Sequence, residues 1–188
     1  ATGAVNPFDV MRWPGVVEQA DIEAEPLFEA ALPLLEKTLD AIKSMRASEG
    51  ARIAGMIESR CAEIASISKS VRERMPEVLE AARAKQRERI EKLDVEADSG
   101  RLEAELALIA QKLDVDEELD RLDSHLVEIR DIVQRDEPVG RRLDFLMQEL
   151  NREANTLASK SNDTETTRAS VELKVLIEQM REQIQNVE

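Results

Sequence analysis

Aromatic residues are nearly missing from this chain: three Phe, one Trp and no Tyr, 2% in all. A core without them is built from Leu, Ile, Val and Ala, which suits extended packed helices better than a sheet-containing globule. Gly and Pro are also scarce, six of each. The single cysteine, Cys61, excludes an intramolecular disulfide framework and fits a reducing cytoplasm. Its expected role is that of a small apolar residue rather than a reactive thiol. The single histidine, His125, excludes a two-histidine acid/base pair within one chain. No stretch approaches the roughly 20 apolar residues that span a bilayer, so no membrane partner is expected, and no signal peptide is visible. There is no P-loop, no dinucleotide fingerprint, no zinc-type Cys/His spacing and no nucleophile elbow.

What the chain does have is charge and helical periodicity. Of its 188 residues 35% are charged, and the net charge is −14. A balance this acidic argues against general nucleic-acid binding, because phosphate attraction grows with the number of neutralising Lys and Arg. Binding RNA would require a local basic patch or a cation bridging carboxylate to phosphate.

The predicted fold is all-α: a long antiparallel helical hairpin plus a compact C-terminal helical bundle. Residues 1–20 form a lead-in, 21–97 the hairpin and 98–188 the bundle. In the lead-in, Asn6-Pro7 starts a short helical turn through Met11, and Trp13-Pro14-Gly15 makes a bend. Trp13 is expected to plug a seam against another domain. Pro26 and Pro33 are expected to break and restart the first long helix. Beyond them Leu35, Leu39, Ile42, Met45, Ile53, Met56, Ile57, Ile64, Ile67 and Val71 keep a three/four spacing. At 1.5 Å per residue, 34–75 would span on the order of 60 Å, so a partner is needed along its length. Pro76 suits a first helical turn, which places the tip of the hairpin at 75–76. Asp98-Ser99-Gly100 breaks the pattern before a Leu-rich helix over 101–112. Asp114 is the expected N-cap of the next helix, 115–134, with Glu117 completing a capping box, and that helix should bury Leu119, Leu122, Leu126, Ile129 and Val133. The last helix should bury Val171, Leu173, Leu176, Ile177, Met180, Ile184 and Val187.

Between these lies VGRRLDFLMQELNREANTLASKSND, Val139 to Asp163. At about 100° per residue Leu143, Leu146, Met147, Leu150, Ala154 and Leu157 form one apolar stripe. A second face carries Arg141, Asp144, Gln148, Asn151, Asn155 and Ser159. A third carries Arg142, Glu149, Glu153, Thr156 and Lys160. Asn and Ser are poor helix formers, because their side chains compete for nearby backbone groups. An amide-rich face therefore points to a contact with RNA or protein rather than with bulk water.

GRRLDFLMQELNREANTLASKSND, followed by VELKVLIEQMREQIQNVE, resembles the end of the YicC/YloC family of bacterial endoribonucleases and stress-associated proteins. The resemblance extends through EELDRLDSHLVEIRDIV and LEAELALIAQKLDV back to NPFDVMRWPGVV, nearly the whole chain. Members of that family carry a further α/β-type domain on the N-terminal side. The chain is accordingly expected to be a C-terminal portion, beginning near the end of that domain and without an initiator Met.

The residues offer several sites, each with a plain structural alternative. Glu149 and Glu153, spaced i,i+4, can hold one divalent ion that bridges to phosphate and activates water. They can equally form an exposed ion-pair network with Arg152. Glu128, one turn after His125, can orient its imidazole or share a metal with it. Asp114, Asp116, Glu117, Glu118, Asp120 and Asp123 invite a metal reading, but acidic residues at a helix N-terminus are what the macrodipole favours. Lys69, Arg72, Arg74, Arg83, Lys85, Arg87, Arg89 and Lys92 form either a phosphate-binding patch or a face neutralised by Glu88 and Glu91.

The resemblance implies a manganese- or magnesium-dependent endoribonuclease acting on RNA. In that reading His125, Glu128, Glu149 and Glu153 are catalytic, and Glu149 and Glu153 serve the metal. Arg141, Arg142, Arg152 and Lys160 hold phosphate, while Gln148, Asn151 and Asn155 touch RNA or a sister subunit. A homo-oligomer is expected from the aliphatic seams. The alternative is a helical oligomerisation module that positions another domain or docks RNA-decay partners.

Overall fold

The computed structural model describes residues 4–17, 24–92 and 99–185, and every element among them is an α-helix. The chain divides into two units, residues 1–47 and 48–188.

The first unit holds α1 (Pro7–Met11) and the beginning of α2 (Ala24–Glu91). Asn6 caps α1 by accepting a hydrogen bond from the Phe8 N–H at 3.1 Å, and Pro7 takes the first helical position, where its missing donor costs nothing. After α1, the Val16 N–H donates to the Trp13 carbonyl at 3.1 Å and Gly15 takes φ +85°. Pro14 then Gly15 is the order a type II turn requires. Among the described residues Trp13 is 71% exposed. Phe28, Leu32, Leu35, Leu39 and Ile42 are also exposed. Their alternating spacing of four and three is that of a coiled-coil seam.

Two expectations about α2 are corrected. It is one helix of 68 residues, with no break at Pro33 and no reversal at Pro76. Pro26 lies in the first turn, where no intrahelical donor is needed. Pro33 and Pro76 each remove one hydrogen bond, but the residues around them have strong helical preference, and beside Pro76 the buried Val71 and Val78 have apolar contacts to keep. The expected tip at 75–76 is therefore absent. Instead α3 (Ser99–Leu113) runs back beside the end of α2. Ile109 lines a groove with Val78, Ala82 and Gln86, and Leu113 lines another with Arg72, Met75 and Leu79.

The second unit contains the core. α4 (Asp116–Val133), α5 (Gly140–Lys160) and α6 (Thr164–Ile184) turn back on one another, and α2 contributes Ile53, Ile57, Cys61, Ile64 and Val71 to the same cluster. All six residues of the predicted α5 stripe are buried, none more than 1% exposed. On α4 the predicted Leu119, Leu122, Leu126 and Ile129 are buried and Val133 is half-buried. Burying a Leu or Ile side chain stabilises by about 1.5–3 kcal/mol, so this stripe holds the bundle together. Val171, expected inside, is 58% exposed, because α6 turns it away from α5. Val187 lies outside the described residues.

Ion pairs tie α2 to the bundle. Arg74 makes a two-pronged contact with Asp163 (2.8 and 3.2 Å), the residue that caps α6 by accepting from the Thr166 N–H. Arg72 reaches Asp120 at 2.9 Å, Asp123 at 3.3 Å and Asp116 at 3.9 Å. The N-cap of α4 is Val115 rather than Asp114, although the Asp114 carboxylate accepts from the Asp116 N–H at 3.1 Å. Cys61 is fully buried, and burial pushes its thiol up to about 11, so it is a core residue and not a nucleophile.

Candidate metal centre on the seam between α4 and α5

α4 and α5 run antiparallel, and charged residues flank their buried Leu seam in pairs. Near the start of α4, the Lys160 ammonium bonds both oxygens of the buried Glu118 carboxylate at 2.8 and 2.9 Å, and the Asp114 carbonyl at 2.7 Å. Near its end, Arg142 donates to Glu128 at 2.8 Å. Between these two rungs the pattern changes. His125 from α4 meets Glu149 and Glu153 from α5, and one ligand atom from each lies within 4.8 Å of the other two.

This middle rung has two carboxylates and only loosely held cations. Arg121 approaches Glu153 at 3.4 Å, and Arg152 approaches Glu149 at 3.9 Å. Both flanking pairs close to 2.8 Å. Glu153 is 3% exposed, an unusual depth for a carboxylate. Its helical spacing puts it beside Leu150, Ala154 and Leu157, so the packing that buries the stripe carries Glu153 in with it. Arg121 also bonds Glu117 at 2.5 Å. The hydrogen bond to Glu153 is the main cause that raises the Arg121 guanidinium above its ordinary value, followed by the negative charge of Glu117 and Glu153.

The donor set suits a divalent cation. Donors about 2.1 Å from one ion stand roughly 3 to 4.2 Å apart, so side-chain movements on the order of 1 Å would close the three around it. One imidazole nitrogen with two carboxylates fits manganese better than magnesium, which prefers oxygen alone.

The other predicted site residues divide clearly. Glu128 falls outside the cluster because Arg142 holds it. Arg142 and Lys160 are each paired with a carboxylate, Arg142 with half of its side chain still exposed. Arg141, Asn151, Arg152 and Asn155 are exposed along α5, and Gln148 is exposed with its amide donating to Asp144 at 2.8 Å. The acidic run at the start of α4 is neutralised piece by piece: Arg72 takes Asp116, Asp120 and Asp123, Arg121 takes Glu117, and Lys160 takes Glu118. Much of the basic patch is neutralised as well, Lys69 by Glu73, Arg83 by Glu80 and Lys92 by Glu88. Sequence reasoning missed Arg121. Its spacing four before His125 sets it on the same face of α4, but its partner Glu153 is 32 residues away along the chain.

Fold and site together define an all-helical protein with an imidazole–dicarboxylate cluster at the seam of two packed helices. Residues 71–188 match the family model described as the C-terminal domain of YicC-like endoribonucleases, and the chain belongs to that family. It is 46% identical over 186 residues to a probable endoribonuclease YicC of Haemophilus influenzae, covering 99% of this chain and 65% of that protein. A probable endoribonuclease YicC of Clostridioides difficile is 34% identical over 189 residues, covering 98% of this chain and 64% of its own length. The chain thus spans a little under two thirds of each relative. Among the described residues no helix is long and apolar enough to cross a membrane.

Proposed function

We propose that this chain carries the cation-dependent centre of a cytoplasmic endoribonuclease, with His125, Glu149 and Glu153 as the residues that would hold the ion. The convergence of these three side chains from two helices, at a rung lacking a tight counter-cation, is the observation that supports the reading. When bound, a manganese ion would supply positive charge against a phosphodiester and a water of lowered pKa. The protein's own part is to fix the donors. Glu153 is immobilised by burial, Glu149 sits one turn before it, and His125 faces both from a helix locked at either end by Lys160–Glu118 and Arg142–Glu128. The exposed Arg141, Asn151, Arg152 and Asn155 on α5 offer donors to a polynucleotide lying along that helix, and a local cation centre answers the repulsion that a net charge of −14 would impose on RNA. With full-length protein, RNA and manganese, Glu153→Gln and His125→Ala are each expected to lower cleavage by at least about a hundredfold, the scale of losing a general acid/base or ligand. Full activity in both variants would rule the centre out.

We infer further that the chain self-associates. Among the described residues the exposed Phe28, Leu32, Leu35, Leu39 and Ile42 stripe has the spacing that packs against another helix of the same kind.

A further inference from the structure

We propose that Arg121 is the exchange residue of this centre, holding Glu153 until a divalent cation takes that carboxylate and then receiving an oxygen of the RNA phosphate. The inference rests on reading His125, Glu149 and Glu153 as a cation site. Arg121 stands between two carboxylates of opposite character. Glu153 has a side chain only 4% exposed, and Glu117 has one 73% exposed. A buried carboxylate needs a counter-charge, and Arg121 supplies one from the neighbouring helix. Its contact is long, 3.4 Å, while its contact to Glu117 is 2.5 Å. Arg121 is thus shared between a buried carboxylate and one that is free to move with it. A dication brings twice the charge to Glu153 and displaces the guanidinium from it.

Release does not send Arg121 away. Glu117, one turn earlier on α4, keeps the guanidinium beside the site, and half of the Arg121 side chain is already exposed. A planar guanidinium next to a cation, with donors turned to solvent, matches the geometry of a phosphate's oxygens. The flanking rungs offer no equivalent, because Lys160 has no planar fork and Arg142 bonds Glu128, which lies outside the cluster.

The test is calorimetric titration of manganese into full-length protein without RNA, comparing wild type, Arg121→Gln, Arg121→Lys and Glu153→Gln, with helicity checked by circular dichroism. Arg121→Gln is expected to bind manganese roughly five- to tenfold more tightly, the scale of removing a nearby cation and its partly exposed ion pair. In saturating manganese the same variant should bind a 2′-O-methylated, uncleavable oligoribonucleotide about fivefold or more weakly. Arg121→Lys, which keeps the charge without the planar fork, should resemble wild type toward manganese and Arg121→Gln toward RNA. It also serves as the readout should Arg121→Gln fail to fold. Unchanged or weaker manganese binding in Arg121→Gln, or undiminished oligoribonucleotide binding in both variants, would overturn the exchange role. Equal manganese binding by wild type and Glu153→Gln would instead show that the cation site itself is wrong.

Discussion

A single hydroxyl illustrates how closely the core is specified. Helical serines elsewhere in this protein return their hydroxyl to the carbonyl four residues back: Ser70 to Ser66 at 3.0 Å, Ser124 to Asp120 and Ser170 to Thr166 at 2.8 Å. Ser68 is 1% exposed, faces the core from α2, and its hydroxyl has no hydrogen-bond partner among the described residues. Leaving such a group buried costs about 1–3 kcal/mol. Ser68→Ala removes the group with little change in volume and also improves helix propensity. It is expected to stabilise the protein by about 1 kcal/mol, read as a higher urea midpoint at constant slope. A lower midpoint would mean that the hydroxyl is satisfied in solution. Glu153 is the opposite case, a buried polar group with partners, and its place among charged neighbours marks the candidate centre.

Among the elements, α6 is started and anchored by one residue. Asp163 accepts from the Thr166 N–H as N-cap and also receives the Arg74 guanidinium, so a carboxylate at a helix N-terminus joins α6 to α2. The Arg74 hydrogen bonds are the main cause that holds its acid below the ordinary aspartate range. A lowered folded-state value means that the unfolded chain takes up the proton first as pH falls. The stabilisation is therefore fully present above the ordinary value of about 3.9 and is lost as pH drops through the lower folded one. Thermal melts of wild type and Asp163→Asn should differ most near neutral pH and converge as pH falls through the lowered folded-state value. Asn still caps the helix but cannot form the ion pair. A gap independent of pH would assign the effect to packing instead. The same logic explains why α2 survives Pro76: contacts on both sides, Val71 and Val78 in the core and Arg72 and Arg74 to α4 and Asp163, keep the helix in register across the missing hydrogen bond.

For the whole molecule, the apolar groups left outside are as informative as those inside. Leu32, Leu35 and Leu39 are between 48% and 59% exposed and Phe28 is 68% exposed, all on one seam of α2. Contiguous apolar surface of this kind marks an interaction site. Light scattering coupled to size exclusion should give wild type a mass of two or more chains. The double variant Leu32→Glu/Leu39→Glu should shift toward the single-chain mass without loss of helical signal. A wild-type monomer, or a variant of unchanged mass, would refute self-association through this stripe.

Much of this was legible in the chain itself. Periodicity alone located α4, α5 and α6 within a few residues and named their buried stripes, because a face that must leave water recurs every three to four positions whatever it packs against. The scarcity of aromatics and the lone cysteine set the class of fold, and the i,i+4 pair Glu149 and Glu153 was visible as a possible cation grip. Sequence reading failed where neighbours distant in sequence decide. Local rules made Pro76 a helix start, but contacts across α4 and α6 carry α2 straight through it. Nor could local rules show that Arg142 and Lys160 pair with Glu128 and Glu118 on the adjoining helix. Only the antiparallel packing of α4 on α5 could join His125 to two carboxylates and set Arg121 beside them, because electrostatic partnership depends on distance through space and not on separation along the chain.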